Sequence, residues 1–184
     1  MENWVIYVAI GFFAGVLVFI YNRLVALRQT RKNAFADIDV QLKMRHDLVP
    51  NLSKIVQRYA DHESSVFKEV TEARAQAVAA KSVEEKGQAE GFLEGSLMKL
   101  LAVAEDYPEL KADKNFLHFQ EELANIERTV ASARRFFNNA TSEFNTAIEQ
   151  FPAIIVAKIF SMKEEAFFNV GEAARNKLDT PPSF

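Results

Sequence analysis

Residues 116–151 read FLHFQEELANIERTVASARRFFNNATSEFNTAIEQF, and the apolar side chains fall at Phe116, Phe119, Leu123, Ile126, Val130, Ala133, Phe137, Ala140, Phe144, Ala147 and Phe151. Steps of three and four put all of them on one stripe of a helix. Large Phe alternates with small Ala along that stripe, which predicts close, uneven packing against a partner helix. Asp113 stands where an N-cap belongs. Upstream, Phe92, Leu97, Leu100, Leu101 and Ala104 mark a shorter helix over 87–105, ended by a turn at Tyr107-Pro108, with the charged stretch 81–87 as the reversing loop. Further upstream, Ile38, Leu42, Arg45, Val49, Leu52, Val56, Tyr59, Glu63, Val66, Val70, Ala73 and Ala77 form a second seam of the same kind. Its phase survives Pro50, so the pattern predicts one kinked helix from the N-terminal end to about residue 80, a rod of ~90 Å past the anchor described below. Downstream, Pro152 opens a short apolar helix over 153–160, placed to cap the bundle or lie on a membrane surface. The fold expected is all-α: a long antiparallel bundle of three long helices plus a short C-terminal helix, with a body over 22–170 and a frayed tail over 171–184, where Thr-Pro-Pro-Ser-Phe cannot continue a helix.

Composition agrees and narrows the function. With 184 residues the chain is sized for one folding unit plus an anchor. Its 22 Lys and Arg against 25 Asp and Glu give no cationic excess, which argues against nucleic acid as a partner. The absence of cysteine excludes a disulfide framework, a thiolate metal site and a Cys nucleophile. Only 6 Gly and 5 Pro stand against 16 Phe, a balance that favours long helices over a turn-rich β fold.

Residues 4–21 carry no charge and consist chiefly of Val, Ile, Phe, Leu, Ala and Gly, close to the ~20 residues that cross a bilayer. Trp4, Tyr7 and Tyr21 suit the interfacial aromatic belt. The leader Met-Glu-Asn lacks the basic residues of a signal peptide, so the segment is expected to remain as an anchor in the cell membrane. Arg23, Arg28, Arg31 and Lys32 on its C-terminal side predict a single pass with the N-terminus outside and the body in the cytoplasm. Gly11 and Gly15 make a GxxxG pair through which two anchors could pack, although lipid-facing glycine explains it as well.

Polar residues on the seams need partners. Arg45 and Glu63 occupy apolar positions, where an unpaired charge costs several kcal/mol. Gln120, Glu127, Arg134 and Thr141 recur every seven residues beside the second seam, and are expected to supply ion pairs and amides that set the register of the helix pair. The sharper alternative is a polar groove for a ligand or a partner's helix. No catalytic constellation emerges. His46, His62 and His118 lack zinc-type spacing, and Asp61-His62-Glu63 are neighbours that point apart on a helix and read as a solvated face. No metal or cofactor is expected.

Read as a string, Tyr21-Asn22, Leu24-Val25, Arg28, Asn33-Ala34, the run IDVQLKMRHDLVPNL from Ile38 to Leu52, Tyr59-Ala60, His62-Glu63 and Ala73-Arg74 resemble the LemA family. The order continues through Asn115-Phe116, Gln120, Glu122-Leu123, Ala133-Arg134-Arg135, Phe137-Asn138, Phe144-Asn145 and Phe151-Pro152, so the likeness covers Tyr21 to about Phe168. Phe35 stands where that family usually has Trp, and Phe137 and Phe144 where Tyr is common; the rings keep their volume and lose a hydrogen-bonding group. The resemblance implies an N-terminal membrane helix with its N-terminus outside, a helical-bundle body and no agreed catalytic residue. It also implies links, in some relatives, to organelle-like membrane compartments or membrane-bound metalloproteases.

The function expected is that of a non-enzymatic, membrane-anchored scaffold or adaptor that holds or recruits an integral-membrane protein. Two alternatives stand beside it: a homo-oligomer that organises the membrane through Gly11, Gly15 and the Phe-rich end of the bundle, and a sensor that binds a ligand on the polar stripe near Arg45 or Arg134.

Overall fold

A computed structural model of the chain describes residues 3–170, and every regular element among them is helical. The order is α1 (Asn3–Tyr59), α2 (Ser64–Ala79), α3 (Val83–Val103), a 3₁₀ turn (Ala104–Asp106), α4 (Pro108–Lys111), α5 (Lys114–Glu149) and α6 (Ala153–Ile159). The tail expected over 171–184 lies outside the described residues. The described chain gathers into two compact units, residues 3–37 with 135–166 and residues 38–134 with 167–170.

The second unit is an up-down-up-down arrangement of α1, α2, α3 and the first half of α5. Tyr59 bonds Asp113 and Arg45 bonds Glu127, so the interval 45–59 on α1 matches 113–127 on α5 in antiparallel register. Turns over 60–63 and 80–82 reverse the chain between α1, α2 and α3. The helix expected to run to residue 80 therefore ends at Tyr59, and the long rod is replaced by a hairpin. The seam residues are still inside: Ile38, Leu42, Val49, Leu52 and Val56 are buried on α1, and Val70, Ala73 and Ala77 on α2. A straight rod would have left the later seam in water; folding back buries it in the same core. Likewise, 81–87 is not a loop. Ser82 caps α3 in a capping box with Glu85, and Glu84 and Glu85 sit in the first turn, where the helix dipole favours negative charge.

Pro50 lies inside α1, and the helix continues through it. Its missing N–H leaves the carbonyl four residues back, at His46, without its helical donor. Arg74 Nε fills that vacancy from α2, donating to the His46 carbonyl at 2.7 Å. The defect thus becomes a tie between two helices. Arg74→Met should destabilise the unit by about 1–3 kcal/mol by leaving that carbonyl unpaired, and should cost much less in a Pro50→Ala background, where the helical bond is restored. Urea unfolding of the four members of that cycle measures the difference; equal costs in both backgrounds would show the bond to be idle.

Asp113 Oδ1 accepts from the backbone of Asn115 and Phe116, capping α5, while Oδ2 accepts from the Tyr59 hydroxyl. The bond from Phe116 N–H, followed by that from Tyr59, holds the Asp113 carboxyl below its ordinary range. A depressed carboxylate adds stability that is present above its unfolded value and is lost as pH falls through the folded one. Tyr59→Phe should accordingly move the acid limb of the stability curve to higher pH, read as urea midpoints between about pH 3 and 5.

In the first unit, Leu24 from α1 packs with Phe144, Ala147 and Ile148 of α5 and Val156 and Ala157 of α6, with Leu17, Ile20, Tyr21 and Leu27 against them. Residues 4–15 of α1 are exposed throughout. At the end of α6, Ser161 takes a left-handed φ of 51°, and Met162 N–H bonds back to the Ala157 carbonyl. This Schellman-type stop turns the chain into a strap without regular secondary structure. Asn145 holds the strap by both polar atoms of its amide, each 2.9 Å from the Glu165 backbone. Arg31 adds bonds to the Ala166 carbonyl at 2.9 Å, to the Glu165 carboxylate at 3.2 Å and to Thr141 at 3.1 Å, with its guanidinium 4.8 Å from the centre of the Phe137 ring.

Candidate functional site

Arg45 is the feature of the second unit that most needs an explanation, because a guanidinium with 0% exposure sits in an apolar core. Its Nη2 donates to Glu90 Oε2 at 2.5 Å and its Nη1 to Glu127 Oε1 at 2.7 Å. Glu90, 1% exposed, accepts on its other oxygen from His46 Nε2 at 2.7 Å. Burial works against the charge on Arg45, but Glu127 and Glu90 outweigh it and hold the guanidinium above its ordinary pKa. The cluster joins α1, α3 and α5 through charge-assisted bonds in a low-dielectric interior. Arg45 Nε is buried without a hydrogen-bond partner. Beside the cluster a cavity of about 170 Å³ is lined by Asp39, Lys43, His46, Lys86 and Glu90, with Lys86 Nζ donating to Asp39 at 2.5 Å.

Both Glu90 oxygens are engaged, so the geometry is that of a lock between helices. Among the described residues, no group of three or more His, Asp or Glu side chains is placed to hold a metal ion.

Of the polar residues singled out in the sequence, Arg45 and Glu127 are brought together and the others are not. Glu127 joins Arg45, whereas Arg134 faces Glu94 across a longer 3.9 Å pair. Gln120 is exposed and lines an apolar groove with Met98, Leu101, Phe116 and Leu117. Glu63, expected on the α1 seam, lies instead in the turn after α1, where its carbonyl accepts from Val66 and Phe67; the reversal of the chain removes it from the core. Asp61 and His62 are exposed in that same turn. Gly11 and Gly15 sit on the exposed part of α1, with open space where a Cβ would stand.

Sequence reading missed Glu90 and the glycines around it. Gly87, Gly91 and Gly95 repeat every four residues on α3, a spacing that lines one helix face. A Cβ on Gly87 would collide with the Asn169 carbonyl, and one on Gly91 with the Val170 carbonyl, while Gly95 has open space. The end of the strap therefore lies directly on the backbone of α3, with Phe168 buried. That spacing was the available signal, along with an acidic residue set among Gly87, Leu93 and Leu97.

These features define a class: an all-helical bundle protein, tied by buried ion pairs, whose first helix is long and apolar enough at its N-terminal end to cross a membrane. The chain belongs to the LemA family, whose sequence profile matches residues 34–181. Magnetosome protein MamQ of Magnetospirillum gryphiswaldense is 24% identical over 198 residues, covering 94% of this chain and 73% of its own. Magnetosome protein MamQ 2 of Paramagnetospirillum magneticum aligns to the same extent. Protein LemA of Metamycoplasma hominis is 26% identical over 175 residues, covering 90% of this chain and 78% of its own. None of these names states a catalytic activity.

Proposed function

We propose that this chain is a non-enzymatic scaffold or adaptor, anchored by a single pass through residues 4–21 with its N-terminus outside and its body in the cytoplasm. The observation that carries this reading is the continuity of α1: one helix of 57 residues supplies both the apolar segment and a wall of the ion-pair-locked bundle. The partner is an integral-membrane protein, and the family resemblance points to a membrane-bound metalloprotease as one such partner. Val40 and Met44, exposed one turn apart on α1, offer an apolar contact for it. Photo-crosslinkers at these two positions, activated in native membranes, test the idea. A heterologous adduct with a membrane protein is expected; self-adducts alone would overturn it.

The GxxxG spacing of Gly11 and Gly15 on the exposed part of α1 supports a second reading, self-assembly through the anchor. The magnetosome names of the MamQ relatives are in keeping with an organising role at a membrane compartment. That reading expects a particle larger than a monomer in mild detergent, reduced by Gly11→Leu with Gly15→Leu.

A further inference from the structure

The tip of the first unit, the stretch 151–160 that follows the exposed Glu149 and Gln150 at the end of α5, presents apolar side chains to the outside as well as the inside, Lys158 apart. Val156 and Ala157 face the core of the first unit, yet Phe151 is 82% exposed, Ile159 66%, Phe160 55% and Ile155 47%. Lys158 is the one polar side chain on α6, and a surface of such apolar residues belongs in an apolar medium. The same tip is seated on the C-terminal end of the apolar segment: Leu17, Ile20 and Tyr21 pack against its core, and the Tyr21 and Phe160 ring centres lie 4.4 Å apart. Leu17 lies one helical turn, about 6 Å, deeper along the anchor than Tyr21. The tip therefore shares the level of the last turn of the span, at the depth where interfacial helices seat their apolar faces.

We propose that Phe151 and α6 form a second membrane contact, in which Phe151, Ile155, Ile159 and Phe160 enter the headgroup–acyl boundary of the bilayer leaflet at the C-terminal end of the anchor. The occupant of this face is lipid. The inference rests on the reading of residues 4–21 as a spanning helix, and adds to it that the membrane is held at two points of the fold. Lys158, exposed on α6, can reach lipid phosphates while its stem lies along the apolar boundary; beyond α6 the exposed charges are mixed, Lys163 beside Glu164.

The chain has no cysteine, so single-cysteine probes can be placed without background. The full-length protein, carrying Ile155→Cys or Ile159→Cys labelled with an environment-sensitive fluorophore, is reconstituted in vesicles of phosphatidylcholine and phosphatidylglycerol. Quenching by a spin label near the top of the lipid acyl chain is compared with quenching by aqueous iodide. Phe12→Cys reports on the anchor and Gln57→Cys on a water-exposed helix face. Labels at 155 and 159 should be quenched several-fold more by the lipid-borne label, and several-fold less by iodide, than the label at 57. If position 12 is quenched from the lipid while 155 and 159 behave like 57, the tip lies in water; the inference fails and the anchor stands. Shielding of 155 and 159 from both quenchers would mean that protein covers the face, which also overturns it. Iodide quenching at position 12 would remove the anchor reading itself.

Discussion

Arg45→Ala is expected to unfold the second unit under conditions where the parent chain remains folded. The substitution leaves Glu90, 1% exposed, with His46 as its one remaining partner in the cluster, and opens a void where the guanidinium lay. Breaking a buried pair from one side costs about 3–5 kcal/mol, a large share of the roughly 5–15 kcal/mol that holds a domain together. Glu127 contributes less to the loss because it is partly exposed and can rehydrate. The matching experiment removes the charge on both sides. Arg45→Met with Glu90→Met leaves no uncompensated ion in the interior, Glu127 being free to rehydrate, and fills similar volume, so it should recover most of the stability lost by Arg45→Ala. Urea unfolding followed by circular dichroism in detergent compares the three chains. A single variant as stable as the parent would show that the cluster ties nothing together; a double variant as unstable as the single would assign the loss to packing.

The second large effect is expected at the glycines of α3. In a helix interior, Gly→Ala ordinarily stabilises by about 1 kcal/mol, because alanine loses less conformational freedom on folding. Gly95→Ala should follow that rule, since open space surrounds the new methyl group. Gly87→Ala and Gly91→Ala should reverse it, because each Cβ meets a backbone carbonyl of the strap, and a backbone cannot step aside as a flexible side chain would. The double variant should lift the strap and draw Phe168 from its buried site, at a cost approaching the ~3–5 kcal/mol of a Phe→Ala change in a core. Chymotrypsin should then cut at Phe167 or Phe168 at least about ten times faster than in the parent, as the local opening becomes populated. Stabilisation at all three positions alike would mean that the strap does not rest on α3.

Most of the inward-facing side chains were legible in the sequence, Phe151 at the end of the stripe being the exception at 82% exposed. The three-four spacing of Phe116 through Ala147 and of Ile38 through Ala77 identifies the buried stripes, because side-chain direction along a helix follows from local geometry alone. Asp113 as a cap, the apolar run over 4–21 and the break at Tyr107-Pro108 are local in the same sense. The reversal after Tyr59 was hidden because the seam keeps its phase across residues 60–63, and periodicity records a face without recording what it meets. The capping box at Ser82 and Glu85 is readable, yet the surrounding charge reads equally as a loop. Tertiary structure alone decided the partners. The sequence required that Arg45 be paired and offered Glu127, but Glu90 completes the cluster because α3 runs alongside α1, with Asp39 meeting Lys86 and His46 meeting Glu90. Arg74 completes the His46 carbonyl left free by Pro50 for the same reason. A glycine shows that a backbone can approach, and only the folded chain shows that the backbone which does so is the strap at Asn169 and Val170. Such pairings join residues tens of positions apart, and their energy exists only once the intervening chain has been ordered.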